Sequence, residues 1–286
     1  MKTDNQTIKS LVNNVALVAQ DIFKNRCIAV YLMGSLARGG FSEVASDIDI
    51  GIILASPLQE NDKSNIDKSR SMASNNNPEI KNKVSIFWGS VDSINGIIDA
   101  GRYPPFDRLD LIDHALLLTG TDIRSELIKP TQKELEIAGA EFALNSLGHK
   151  ERIEEFFDCA RITQKGTVYV TKTILFPARF IYLERTGEIA GNEISCQYYI
   201  DNFSGNDAEL VGYGYQWRLH SLPEDSSLVT EQLNKGLIEL YHNFLEIYIE
   251  RMRLYGEGSL TTQLIQWRKD IRPSLRTPQN ALHPRR

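Results

Sequence analysis

From residue 7 to residue 24, Ile8, Leu11, Val12, Val15, Leu17, Val18, Ile22 and Phe23 recur at mostly helical spacing, which predicts a helix. The pattern then changes. Cys27-Ile28-Ala29-Val30-Tyr31-Leu32-Met33 is an apolar run stopped by Gly34, which predicts a buried strand. Asp47 to Leu54 alternates Asp, Ile, Asp, Ile, Gly, Ile and predicts a second strand. Residues 56–82 are polar and rich in Asn, Ser and Lys, so a surface helix and a loose loop both stay open. Lys83 to Trp88 predicts a third strand. After Tyr103-Pro104-Pro105, the apolar segment Leu109 to Thr119, with His114 inside it, is expected to be a strand ended by Gly120.

Beyond this point the pattern becomes helical. Thr131-Gln132-Lys133-Glu134, following Pro130, is a capping-box signature. Helical periodicity covers roughly 132–163, 168–186 and 228–255, with Pro177 expected to kink or interrupt the middle stretch. The last stretch carries Leu233, Leu237, Leu240, Phe244, Leu245, Tyr248 and Met252 on one stripe and ends at Gly256. Three prolines and several arginines from Arg272 onward suggest a solvated end. The expected fold class is α+β, with a mixed α/β half leading into an all-helical half. The expected units are residues 1–125, 126–271 and a flexible tail 272–286.

Length changes this picture little, since 286 residues suit two packed domains. A balance of 32 basic against 37 acidic residues gives a net charge of −5, so there is no global attraction to nucleic acid or to an anionic membrane. Small or cationic partners are expected instead. Three cysteines, Cys27, Cys159 and Cys196, have long spacings and suit neither a disulfide framework nor a structural zinc site. With no signal-like core and no long apolar run, a cytoplasmic location is expected.

The candidate chemistry lies in Met33-Gly34-Ser35-Leu36-Ala37-Arg38-Gly39-Gly40 and Ser46-Asp47-Ile48-Asp49. Residues i and i+2 of a strand share a face, so Asp47 and Asp49 project together while Ile48 and Ile50 enter the core. Two such carboxylates repel unless a hard divalent cation lies between them, and Mg²⁺ also accepts phosphate oxygens as ligands. Gly34 permits close backbone approach to a triphosphate, and Ser35 offers a hydroxyl and an N–H. A helix opening at Leu36 would add a favourable field, and Arg38 a charge partner.

This string resembles the signature of the DNA polymerase β-like nucleotidyltransferases, and within them the antibiotic (aminoglycoside, streptomycin/spectinomycin-type) nucleotidyltransferases. Leu116 to Arg124 resembles the strand and turn that end their catalytic domain. Arg179-Phe180-Ile181-Tyr182 with Thr186-Gly187-Glu188-Ile189-Ala190 is similar to a segment of their helical domain. The resemblance implies Asp47 and Asp49 as catalytic metal ligands for Mg²⁺. It implies Gly34, Ser35, Arg38 and Ser46 as contacts to ATP or another nucleotide. Lys165, Lys172 and Arg179 fall on the stretch that faces such a site, and Lys172 is the first choice, although surface cations fit the same pattern. The implied reaction is attack of a small-molecule hydroxyl on the α-phosphorus with loss of pyrophosphate.

One position departs from the family. Its third carboxylate, on the next strand, falls at Ser85, which has little basicity and is a poor Mg²⁺ ligand. Asp92, Asp110 and Asp113 are the candidates to replace it. Glu151, Glu154, Glu155 and Asp158 form an acidic run suited to a cationic acceptor or simply to solvent. Tyr198, Tyr199, Tyr213, Tyr215 and Trp217 suit core packing, with one ring available in principle to an adenine. Three readings follow: an Mg²⁺-dependent adenylyltransferase acting on an aminoglycoside-type hydroxyl, a protein-modifying transferase of toxin–antitoxin type, and a catalytically weakened nucleotide-binding relative.

Overall fold

The computed structural model describes residues 1–73 and 82–271. The chain opens with helix α1 (Gln6–Phe23), capped by the Asn5 side chain, and enters strand β1 (Cys27–Leu32). A short helix α2 (Gly34–Arg38) and a loop lead to β2 (Ile48–Leu54). Helix α3 (Asp62–Ala73) resolves part of the polar 56–82 stretch as helix, while residues 74–81 lie outside the described residues. Strand β3 (Val84–Gly89), helix α4 (Val91–Ile94), helix α5 (Pro105–His114) and β4 (Leu116–Gly120) complete this part.

The four strands lie in the order β3-β2-β1-β4, with β1 antiparallel to β2 and β4, and β2 parallel to β3. The period of two sorts the side chains. Val30 and Leu32 of β1 and Ile48, Ile50 and Ile52 of β2 pack with Leu11, Val12 and Val15 of α1. Ala29, Tyr31 and Ile53 face the other side, against Phe87, Ile94 and Leu111. Asp49, between Ile48 and Ile50, therefore points away from α1.

The segment Leu109–Thr119, expected to be one strand, is instead the second half of α5 followed by β4. Pro105 fixes the first turn of that helix, where its missing N–H costs nothing. Arg108 and Asp110 are buried through ion pairs, so the buried face of the helix is not apolar in sequence. His114 accordingly ends a helix rather than sitting in a strand.

The remaining chain is helical. The expected helix over 132–163 is three helices, α6 (Gln132–Ser146), α7 (Lys150–Glu155) and α8 (Cys159–Thr163). The first break falls where Gly148 meets the Trp267 ring, at which a Cβ would stand 2.8 Å away. Thr131 and Glu134 form the capping box read from the sequence. Helix α9 (Thr167–Thr186) is not interrupted by Pro177. Proline leaves the carbonyl four residues earlier without its helical donor, and the Tyr241 hydroxyl donates to that Thr173 oxygen at 2.8 Å. Helices α10 (Asn192–Asn202), α11 (Asn206–His220), α12 (Ser226–Tyr255) and α13 (Gly258–Asp270) follow.

The stripe of α12 forms the centre of the helical core with Ile174, Ala178 and Ile181 of α9. The expected tail, 272–286, lies outside the described residues. No helix among the described residues is long and apolar enough to cross a membrane.

Candidate active site

Strand β2 delivers Asp47 at its edge and Asp49 inside it, and the turn after β1 delivers Gly34 opposite. Gly34 has φ +64°, and a Cβ there would stand 2.2 Å from Asp49 Oδ2, so only glycine fits. The Gly34 N–H donates to Asp110 Oδ2 at 2.6 Å, and Arg38 ion-pairs with the same carboxylate. This N–H is thus committed within the protein. Asp110, on α5, fixes both the glycine turn and the arginine that follows it.

Burial pushes the Asp49 carboxyl up to about 6, with the charges of Asp47 and Asp110 adding to the shift against Arg38 and Lys172. Lys172, reaching from α9, sits 3.3 Å from Asp47 Oδ2. Ser46 is buried, and its Oγ accepts from the Ser42 N–H at 3.0 Å. The Ser42 hydroxyl donates to Arg218 O at 2.6 Å, and Arg218 Nη2 donates to Ala45 O at 3.1 Å. Helix α11 thereby clasps the loop between α2 and β2.

These groups line a cavity of about 220 Å³. All seven residues singled out in the sequence (Asp47, Asp49, Gly34, Ser35, Arg38, Ser46 and Lys172) are on its wall. Two further cations join them, Arg179 from α9 and Arg218 from α11. Burial, followed by the charges of Arg38 and Arg218, lowers Arg179 to about 10. Cations crowded in this way favour a polyanion between them. The Nε atoms of Arg38 and Arg218 are buried without a partner, leaving donors for such a ligand.

A second, larger cavity of about 1070 Å³ opens from the same carboxylates. Asp107 is on the wall of both cavities, half-buried in the first turn of α5. Burial raises its carboxyl to about 7, Asp49 and Asp110 add to this, and Arg102 and Arg179 oppose it. Asp107 and Arg218 are not among the residues that the sequence pattern singles out. Asp107 belongs to no motif, and its one signal is an acidic residue just after Pro104-Pro105, where helices start.

Ser85 pairs in register with Asp49 across the parallel strands, beside the two carboxylates. Its hydroxyl lies 3.4 Å from Arg102 Nη2. Of the acids considered in its place, Asp110 lines the smaller cavity. Asp92 instead accepts from Ser56 Oγ at 3.0 Å and Asp113 pairs with Lys129 at 2.8 Å, both away from the two cavities. Of the acidic run, Glu151, Glu154 and Glu155 lie on α7 and Asp158 precedes α8. Glu155 is buried against Arg152, Lys165 and Tyr169, Glu151 meets His149 at 2.8 Å, and Glu154 meets Arg161 at 3.8 Å. Lys165 is thus engaged with Glu155. Tyr199 stacks on Phe203 and Tyr213 on Trp217, and neither pair lines either cavity. Burial raises all three thiols, which removes them as nucleophiles near neutral pH.

Among the described residues no group of three or more His, Cys, Asp or Glu side chains is arranged to hold a metal. Asp47 and Asp49 offer two hard oxygen donors, and the Asp47 charge adds to burial in raising the Asp49 carboxyl. Such a donor set fits Mg²⁺ when phosphate oxygens and water complete its shell.

Residues 14–87 match the family model described as nucleotidyltransferase domain. The match places a nucleotidyltransferase domain over α1 and the first three strands, the part of the chain that holds Gly34, Asp47 and Asp49. The structure of the chain is similar to that of spectinomycin adenyltransferase AAD(9) from Enterococcus faecialis, solved with ATP and spectinomycin. The TM-score is 0.55 at 16% sequence identity, with 79% of this chain and 97% of that chain covered. No curated protein sequence matches the chain.

Proposed function

We propose that the protein transfers AMP from ATP to a hydroxyl group of a small molecule in an Mg²⁺-dependent reaction. One observation carries this reading. The carboxylates Asp47 and Asp49 share a small cavity with the crowded cations Arg38, Lys172, Arg179 and Arg218. Carboxylates alone suit a metal and cations alone suit an anion, but both together suit a metal-bound triphosphate. The structural relative solved with ATP and an antibiotic supports a nucleotide co-substrate and a small-molecule acceptor.

In this reading Asp47 and Asp49 hold Mg²⁺, which supplies charge neutralisation at the phosphates when bound. Arg179, Arg218 and Lys172 bind and orient the phosphate chain. The acceptor oxygen forms a bond to the α-phosphorus as the bond to the β-phosphate oxygen breaks, and pyrophosphate leaves with that electron pair. The hydroxyl proton passes to Asp107, which stands where the two cavities meet and takes the part that Ser85 cannot. Positioning and charge stabilisation supply the remaining acceleration.

The test is release of pyrophosphate from labelled ATP with Mg²⁺ and a panel of aminocyclitol and other hydroxylated acceptors. Wild type is compared with Asp47→Ala and Asp49→Ala. Turnover confined to wild type is expected, and turnover that survives both changes would sink the reading. The register of Ser85 beside Asp49 also favours a second reading, nucleotide binding without transfer. That reading expects Mg²⁺-dependent ATP binding with no turnover on any acceptor, and gain of activity in Ser85→Glu.

A further inference from the structure

The larger cavity differs in character from the smaller one. Phe142 and Val168 line it and are 39% and 40% exposed, so two apolar side chains face open space there rather than the core. Phe142 meets Phe176 edge-on at 5.1 Å and Phe180 at 6.1 Å, and Phe176 stacks on Phe180 at 6.1 Å, which makes one continuous aromatic wall. At about 1070 Å³ the space admits a ligand of drug size.

Its charges are balanced. Five carboxylates and five Lys or Arg cations line it. At the end remote from the reaction centre, Glu155 is held by Arg152, Lys165 and Tyr169, and Glu151 by His149. Asp47, Asp49 and Asp107 lie at the reacting end, opposed by Lys172, Arg102 and Arg179. A polycation would find no surplus of anionic groups along the wall. An apolar body would displace water from aromatic surface, and one ammonium group would still be tolerated against a ring face.

We infer that the acceptor is a hydroxylated small molecule with a broad apolar or aromatic face and at most one cationic group. It lies along the Phe142–Phe176–Phe180 wall with its hydroxyl toward Asp107. The inference rests on the nucleotidyl-transfer reading for its reactive end, and the wall is tested separately from it.

The experiment is calorimetric titration of the full chain with a size-matched panel. Half the panel consists of aryl or alkyl alcohols carrying at most one amine, and half of polyamino sugars, each with and without Mg²⁺-ATP. Binding confined to the first half is expected. Phe142→Ala should weaken that binding by about tenfold, the loss of roughly 1.4 kcal/mol of apolar contact, and leave Mg²⁺-ATP affinity unchanged. Tighter binding of the polyamino sugars, no binding in the first half, or binding indifferent to Phe142→Ala in a folded variant would each overturn the inference. Loss of Mg²⁺-ATP binding in wild type would instead strike the nucleotidyl-transfer reading, so the two failures are distinguishable.

Discussion

At Gly34 the backbone passes so close to the Asp49 carboxylate that a methyl group on its Cα would stand 2.2 Å from Oδ2. Gly34 opens α2 just after β1 and Asp49 lies in β2, and the approach fixes how far the carboxylate reaches into the cavity. Gly34→Ala must both adopt a left-handed backbone and push Asp49 aside. The expected result is a loss of about 1–3 kcal/mol of stability and at least a tenfold loss of Mg²⁺-ATP affinity. Thermal unfolding and calorimetry read the two effects. A variant with wild-type nucleotide affinity would show that the close approach has no functional consequence.

Asp110 accepts from the Gly34 N–H and pairs with Arg38, and all three are largely removed from water. Asp110→Ala leaves a nearly buried guanidinium without a counter-charge, at a cost of about 3 kcal/mol. Asp110→Asn keeps an oxygen for Gly34 and should recover part of that loss. Chemical denaturation of the two variants checks the order, and equal stability would show that the hydrogen bond to Gly34 contributes nothing.

Tyr241 donates to the Thr173 carbonyl that Pro177 leaves free, and its ring is fully buried. Tyr241→Phe preserves the packing but strands that carbonyl, costing about 1–3 kcal/mol. If urea denaturation shows no loss, some other donor satisfies Thr173. Nucleotide binding should be unaffected, since the hydroxyl lines neither cavity.

These relationships explain which parts of the molecule could be read in advance. Strand alternation and the Gly34-Ser35 turn are local, so the facing pair Asp47 and Asp49 was legible from neighbouring residues. Helix α5 was not, because Arg108 and Asp110 are buried by ion pairs that no apolar period records. The break at Gly148 depends on Trp267, and the continuity of α9 through Pro177 depends on Tyr241; neither partner is near in sequence. Lys172 came from resemblance rather than pattern. Asp107 and Arg218 reach the cavity only through the packing of α5 against α2 and of α11 against the loop between α2 and β2, which single-chain periodicity does not encode.

Asp107 gives the proposed reaction a pH dependence. Burial and the charges of Asp49 and Asp110 raise its carboxyl to about 7, against Arg102 and Arg179. A base must be unprotonated, so kcat should rise with pH through about 7 and level off above it. Asp107→Asn should lower kcat by about 100- to 1000-fold and remove that inflection. KM for ATP should change little, because the proton transfer concerns the acceptor. A variant with the wild-type pH profile would exclude Asp107 as the base.

Far from the cavities, Asp62 at the start of α3 is fully buried and holds Arg26 through two contacts of 2.6 and 2.8 Å, while the Gln59 N–H donates to it at 2.7 Å. Burial alone would raise its carboxyl, but the Arg26 hydrogen bonds, the Gln59 N–H and the Arg26 charge together hold it below the usual carboxylate value. A folded-state value below the unfolded one means stabilisation that is complete above the unfolded pKa and is lost as pH falls through the folded one. The contribution should therefore be constant at neutral pH and disappear below about pH 4. Arg26 keeps some contact with water, so Asp62→Asn should cost about 1–3 kcal/mol at pH 7. The difference between wild type and variant should shrink on acidification. Urea denaturation at pH 7 and at pH 3 measures it, and a gap that stays constant between the two would show that the Asp62 charge is not what stabilises the pair.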